Sequence, residues 1–285
     1  MARPLRIEFP GAVHHAMARG NAKQEIYLDD RDRRVFLDSL WKICERCDWD
    51  VWAYCLMPNH YHVLIQTRQA TFSRGMRDLN GRYAMAFNAR HNRIGHLFQG
   101  RFKSVLVDRN SHLLELSRYI VLNPVAARLC DRPEAWRWSS YRAVLGLASA
   151  PRRLSRIGTL ASFSSNPEEA RATYIEFVRA GMKAKAPAGW SPVMTIAGDD
   201  HFIASIEERV GRPSTEVPRA ERALKPLAAY ASESADRNAA IRAAYRSGNY
   251  TQADIARWFG LHYTTVCRIV GNSSCHDAKK QDLTP

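Results

Sequence analysis

The sequence predicts an α+β protein in which a ferredoxin-like antiparallel sheet carries helices and a helical C-terminal region with a helix-turn-helix follows. Two observations carry the prediction. The periodicity of the first 125 residues reads β-α-β-β-α-β-α, a split βαβ order with one extra helix. Near the end of the chain, apolar residues return at helical spacing on both sides of a glycine, after a long stretch rich in Ala, Ser, Pro and Arg.

The elements follow in order. Residues Ala12 to Ala18 read as a short strand, and "RGNAKQ" is a Gly-Asn turn with basic neighbours. "DDRDRRVFLDSLWKICERC" opens with acidic capping residues and then spaces Val35, Phe36, Leu40, Ile43, Cys44 and Cys47 helically. "DVWAYCL" and "HYHVLIQT" are rich in β-branched and aromatic residues. Only Met57, Pro58 and Asn59 separate them, which predicts an antiparallel hairpin. From Thr71 to about His91, Phe72, Met76, Leu79, Tyr83 and Phe87 recur three or four apart, so a helix is expected despite Gly75 and Gly81. "RFKSVLVD" reads as a strand. "SHLLELSRYIVLN" reads as a helix capped by Ser111, which Pro124 should end or kink near Asn123. In such a sheet one face takes the helices and the other can be left for a ligand.

Composition divides the chain into residues 1–146, a connecting region with short helices over 147–235, a helix-turn-helix region over 236–272 and a disordered tail over 273–285. The best helix of the connecting region is "NPEEARATYIEFVRAG", with Pro167 in its first turn and Gly181 at its end.

The 285 residues carry 42 Lys+Arg against 28 Asp+Glu, a net charge of +14, which favours polyanionic partners, nucleic acid first. A membrane partner is not expected, because no apolar run approaches the roughly 20 residues of a spanning helix. A cytoplasmic location is expected from the lack of a signal-type apolar segment at the N-terminus. Six scattered cysteines in a chain of this size predict free thiols. Cys44 and Cys47 form a C-x-x-C inside a helix with no second Cys/His pair at zinc-finger spacing, so core packing is expected of them.

Three groups of residues could do chemistry. On a strand, His60 and His62 project to one face while Tyr61 and Val63 face the other way. Neutral imidazoles so placed suit a divalent metal but need at least one further ligand; the spacing equally suits one core or edge histidine beside one in solvent. Tyr119 and Asn123, four apart on a helix, share a face. A phenol can be a nucleophile and an amide oxygen a metal ligand, whereas a core tyrosine and a helix-end asparagine before Pro124 fit the pattern as well. From Arg68 to Arg109, nine cations with Tyr83, Phe87, Phe98 and Phe102 interleaved fit single-stranded nucleic acid, or a solvated basic face over core aromatics.

With "FPGAVHHAMARGN", "YCLMPNHYHVLI", "GHLFQGRFKS" and "SRYIVLNPV" in this order over residues 1–146, the chain resembles the REP-associated tyrosine transposases. These are a branch of the IS200-like, single-tyrosine HUH transposases. The resemblance implies an HUH domain that cleaves and rejoins single-stranded DNA at a hairpin-forming palindrome. It implies His60, His62 and Asn123 as ligands of Mg²⁺ or Mn²⁺, with Tyr119 as the nucleophile that forms a 5′-phosphotyrosine link. Two imidazoles are softer than the all-oxygen shell of magnesium, which favours manganese. Arg19, Arg82, Gln99, Arg101 and Lys103 are expected to contact DNA. Relatives often carry an arginine shortly after Asn-Pro, where this chain has Ala126 and Ala127 before Arg128.

In "TQADIARWFGLHYTTVCRIV", Ala256 permits close helix crossing, Gly260 supplies a turn and Val266 anchors a second helix. Tyr263, Thr264 and Arg268, with His262 and Thr265, could then face duplex DNA. The ordinary alternative is a helical hairpin. His14 and His15 lie on the first strand, where one of them could reach the site, and both are read as structural or DNA-facing. Competing functions are a catalytically silent DNA-binding regulator on the same scaffold and a metal-dependent phosphodiesterase. The chain is expected to act as a monomer or homodimer.

Overall fold

The computed structural model describes residues 7–109, 112–183, 196–197, 199–210, 227–246, 250 and 252–271. Strand β1 (Val13–Arg19) is followed by helix α1 (Asp30–Cys47). Its N-cap, Asp29, accepts from the Asp32 N–H at 3.0 Å, and the Asp32 carboxylate accepts from the Leu28 N–H at 2.9 Å, so two donors at the helix start are satisfied reciprocally. Hairpin strands β2 (Trp49–Met57) and β3 (His60–Thr67) flank a Pro58-Asn59 turn. Helix α2 (Phe72–Arg90), strand β4 (Lys103–Val107) and helix α3 (Leu113–Ala126) complete the predicted order.

The sheet runs β2-β3-β1-β4 with every neighbour antiparallel, and β5 (Ile196–Ala197) is added parallel to β4. The sheet is therefore mixed and five-stranded, not purely antiparallel. A strand of two residues is too short to leave a period in the sequence.

One face of the sheet forms the main core with α1 and α2. Phe36, Leu40, Trp49, Tyr61, Val63, Ile65, Met76 and Tyr83 are buried together there. Gly75 belongs to this packing, since a Cβ on it would lie 2.2 Å from the Trp49 ring. The Trp49 indole N–H donates to Thr71 Oγ1 at 2.9 Å, so the ring is held in place. Cys44 and Cys47 are buried free thiols, as the helix pattern predicts. A bulge between Val51 and Ala53 shifts the register of β2 against β3, so that Trp52, Ala53, Cys55 and Met57 all join the opposite face. There α3 packs through Leu113, Leu116 and Ile120.

Helix α3 departs from expectation at both ends. Its N-cap is His112, and Ser111 lies outside the described residues. At the other end the helix passes through Pro124 to Ala126. Proline removes the N–H that would reach the Ile120 carbonyl. The Asn123 side-chain N–H₂ sits beside that gap, donating to the Tyr119 carbonyl at 2.9 Å and reaching the Ile120 carbonyl at 3.5 Å.

Short helices α4 (Tyr141–Val144), α5 (Arg156–Ala161) and α6 (Pro167–Ala180) follow. They are not peripheral: Tyr141, Val144, Leu160, Ala170, Tyr174 and Val178 are buried in the main core. Helix α6 is capped by Asn166, whose side chain accepts from the Glu168 and Glu169 N–H groups. Gly181 ends it with φ −74°, so glycine is not needed there for a left-handed turn. It is needed for space, because a Cβ would lie 2.6 Å from Arg118 Cδ, whose guanidinium sits over Phe177 at 4.4 Å.

Helices α7 (Asp200–Val210), α8 (Leu227–Glu233), α9 (Arg237–Arg246), α10 (Gln252–Trp258) and α11 (Tyr263–Gly271) complete the described elements. The last four share a small core of Leu227, Tyr230, Ile241, Ala244, Ile255, Ala256 and Val266. Between α10 and α11 the chain turns at Gly260, with φ +64°. This group touches α2 through Arg74, which donates to the Tyr250 carbonyl at 2.9 Å and lies over the Tyr245 ring. The expected tail, 273–285, lies outside the described residues. Among the described residues, no helix is long and apolar enough to cross a membrane.

Candidate active site

Strand alternation decides where the histidines go. Tyr61, Val63 and Ile65 enter the main core, so His60, His62 and Leu64 face the α3 side. In the pairing of β1 with β3, Met17 lies opposite His62 and Arg19 opposite His60. His15, two residues before Met17, shares their face.

The two imidazoles are each engaged at Nδ1. His62 Nδ1 meets His15 Nε2 at 2.9 Å, the rings stacked 5.0 Å apart. His60 Nδ1 meets Asn59 Oδ1 at 2.7 Å, and Asn59 Nδ2 donates to the Lys23 carbonyl at 3.0 Å. The His60 and His62 rings lie 5.0 Å apart and nearly perpendicular. The Tyr119 ring stands edge-on to His62 at 6.2 Å. Strand β3 and helix α3, which the sequence separates by almost sixty residues, thus meet at this point.

The electrostatics favour neutral rings. Burial lowers the His62 pKa well below its usual value, with His15 and His60 adding to the effect. Burial lowers His60 to about 4, with a further contribution from the Arg19 charge, and lowers His15 to about 3. A neutral imidazole keeps one lone pair, which is what a metal requires. Burial also raises the phenol pKa of Tyr119, so its hydroxyl stays protonated at neutral pH.

The donor set fits a divalent cation. His60 and His62 each retain Nε2, and Asn123, whose amino group is turned to its own helix, retains its amide oxygen. Among the described residues no three His, Cys, Asp or Glu side chains cluster to hold a metal, so two imidazoles would need an amide or substrate oxygen to complete a shell.

Of the other residues singled out, Arg19 and Lys103 are exposed and lie on the histidine face, Lys103 being paired to Met17 across β1 and β4. Gln99 joins them, its N–H donating to the Arg19 carbonyl at 2.9 Å, and Arg101 is exposed two residues further on. Arg82 is exposed on α2, in the layer on the other side of the sheet. Thr264 and Arg268 are exposed on α11, which opens at Tyr263. His14 stacks on Phe72 at 4.0 Å on the main-core side and is structural.

Of His14 and His15, one of which could reach the site by its place on the first strand, it is His15 that meets His62, and Asn59 joins it beside His60. Asn59 looked like a turn residue. His15 has the right parity to share a face with His62, but only the pairing of β1 with β3 brings the two rings together.

Residues 11–123 match the family model described as transposase IS200 like. Among solved structures, the chain is similar to a REP-associated tyrosine transposase bound to a REP hairpin, with 16% identity over 54% of this chain and 90% of that one and a TM-score of 0.46. It is also similar to a candidate transposase from Deinococcus radiodurans, with 17% identity over 42% of this chain and 95% of that one and a TM-score of 0.31. No curated protein matches the chain.

Proposed function

We propose, from the match of residues 11–123 to the family model described as transposase IS200 like, that the protein nicks and rejoins single-stranded DNA at hairpin-forming palindromes, with Tyr119 as nucleophile. One observation supports this above the others: a pair of neutral imidazoles, each engaged at Nδ1 and not at Nε2, shares a face with the Tyr119 ring, which stands 6.2 Å from His62.

His60, His62 and Asn123 would hold the divalent ion, manganese suiting this mixed nitrogen and oxygen set better than magnesium. Such an ion, when bound, supplies positive charge to the nonbridging oxygens of the scissile phosphate. Arg19, Gln99, Arg101 and Lys103 bind neighbouring phosphates and draw the strand across the sheet. The Tyr119 oxygen forms a bond to phosphorus as the bond from phosphorus to the 3′ oxygen breaks. The phenol proton is lost and the leaving oxygen becomes a 3′ hydroxyl. Attack by a 3′ hydroxyl on the phosphotyrosine reverses the step, so the phosphodiester energy is retained in the link. Arg82 contacts DNA outside this centre. Helices α10 and α11 act as a helix-turn-helix whose Tyr263, Thr264 and Arg268 contact duplex, such as a hairpin stem.

The test is to incubate a hairpin-forming single-stranded oligonucleotide with the protein and Mn²⁺. A covalent protein-DNA species is expected, and Tyr119→Phe abolishes it. Binding without any adduct across palindromic substrates would favour the silent regulator, and free ends without an adduct would favour a phosphodiesterase.

A further inference from the structure

His60 and His62 are each answered at one ring nitrogen by a neighbour that the catalytic chemistry does not otherwise use. For His60 the direction of the bond is fixed. Asn59 gives its Nδ2 to the Lys23 carbonyl at 3.0 Å, so the atom it presents to His60 Nδ1 at 2.7 Å is its carbonyl oxygen, an acceptor only. The proton must then sit on His60 Nδ1. Asn59 is itself held in place, because its main-chain carbonyl accepts from the Gly20 N–H at 2.8 Å. For His62 the partner is another imidazole, His15, 2.9 Å away and fully buried. One neutral ring must donate and the other accept. If His62 donates from Nδ1, both members of the pair carry the same tautomer and both retain an Nε2 lone pair. If His15 donates instead, His62 is protonated at Nε2 and cannot bind a cation there.

We infer that His15 and Asn59 are positioning residues that accept the Nδ1 protons of His62 and His60, holding both rings in the tautomer that leaves Nε2 free for a divalent cation. The inference rests on the proposed function for its purpose. Its physical content is a property of the metal-free protein. Partners of this kind fix the ring orientation and raise the basicity of metal-binding histidines, and their loss typically costs about 10–100-fold in metal affinity. A shape-filling core histidine would show neither property.

The experiment has two arms. In metal-free protein, long-range proton-nitrogen correlation NMR reads the tautomer of each ring, and protonation at Nδ1 is expected for both His60 and His62. His62 protonated at Nε2 would overturn the role of His15, and His60 protonated at Nε2 would overturn that of Asn59. In the second arm, Mn²⁺ affinity is measured by electron paramagnetic resonance. His15→Phe and Asn59→Ala should each weaken it by about tenfold or more. His15→Gln, which can put an amide oxygen near the His15 Nε2 position, should recover most of the loss in a protein whose circular dichroism is unchanged. Equal affinity in all variants would overturn the inference. If wild-type protein binds no Mn²⁺ and forms no covalent DNA adduct, the proposed function fails, while the tautomer measurement still decides the positioning roles.

Discussion

Along β3, Tyr61, Val63 and Ile65 disappear among Phe36, Leu40, Met76 and Tyr83, while His60 and His62, one residue out of phase, face the other way, His62 beside His15 and Tyr119 and His60 beside His62. Both faces bury polar side chains, but they satisfy them differently. On the main-core face the Tyr61 hydroxyl donates to Asn80 Oδ1 at 2.6 Å, Tyr83 to the Ile26 carbonyl and Trp49 to Thr71, while the buried Tyr27 and Tyr141 hydroxyls have no hydrogen-bond partner among the described residues. Such pairing makes burial affordable and the packing unique. On the other face His60 and His62 are each engaged at Nδ1, His62 by Nε2 of His15 and His60 by the Asn59 amide oxygen. The alternation of the strand thus puts the large aromatic core on one side of the sheet and the imidazoles on the other.

The largest expected effect that tests this contrast is pH dependence. Unfolded histidines titrate near 6.5, whereas in the folded chain burial holds His60 at about 4, His15 at about 3 and His62 well below its usual value. Between these limits the unfolded chain binds more protons than the folded one. Stability is therefore intact above about pH 6.5 and falls as pH drops towards 4, by up to about 1.4 kcal/mol per pH unit for each such histidine. Urea midpoints measured at pH 7 and pH 5 should show the fall, and His15→Gln should shrink it. A flat profile would break the contrast between the two faces.

A smaller effect is expected on the main-core side. Gly75→Ala forces a methyl against the fixed Trp49 ring and should cost about 1–3 kcal/mol, read as a lowered urea midpoint at pH 7 with its pH dependence unchanged. Least of all, Gly81→Ala in the same helix meets open space. It should stabilise by about 0.5–1 kcal/mol, because alanine loses less backbone freedom on folding. If Gly75→Ala were as benign as Gly81→Ala, the main core would be looser than its contacts imply.

Much of this was legible in order along the chain. Helix α1 was visible from its acidic start and from Phe36, Leu40, Ile43, Cys44 and Cys47, since a helix records its buried stripe in local spacing. Helix α2 showed through the same rule, but Gly75 read only as a weakness, because the Trp49 ring that requires it lies on another element. Tyr119 and Asn123 share a helical face by spacing alone. That Asn123 also sits over the carbonyl released by Pro124, letting α3 continue, emerged only from the folded helix end.

By itself the sequence determined the order of strands and helices, the shared face of His60 and His62, and the basic character of the surface, because these depend on periods of two and 3.6 residues and on composition. Tertiary structure decided which rings meet. The pairing of β1 with β3 set His15 against His62, the Lys23 carbonyl fixed the amide of Asn59, and α3 brought Tyr119 to the same face. Strand register and helix docking are contacts between distant residues, and no local period encodes them.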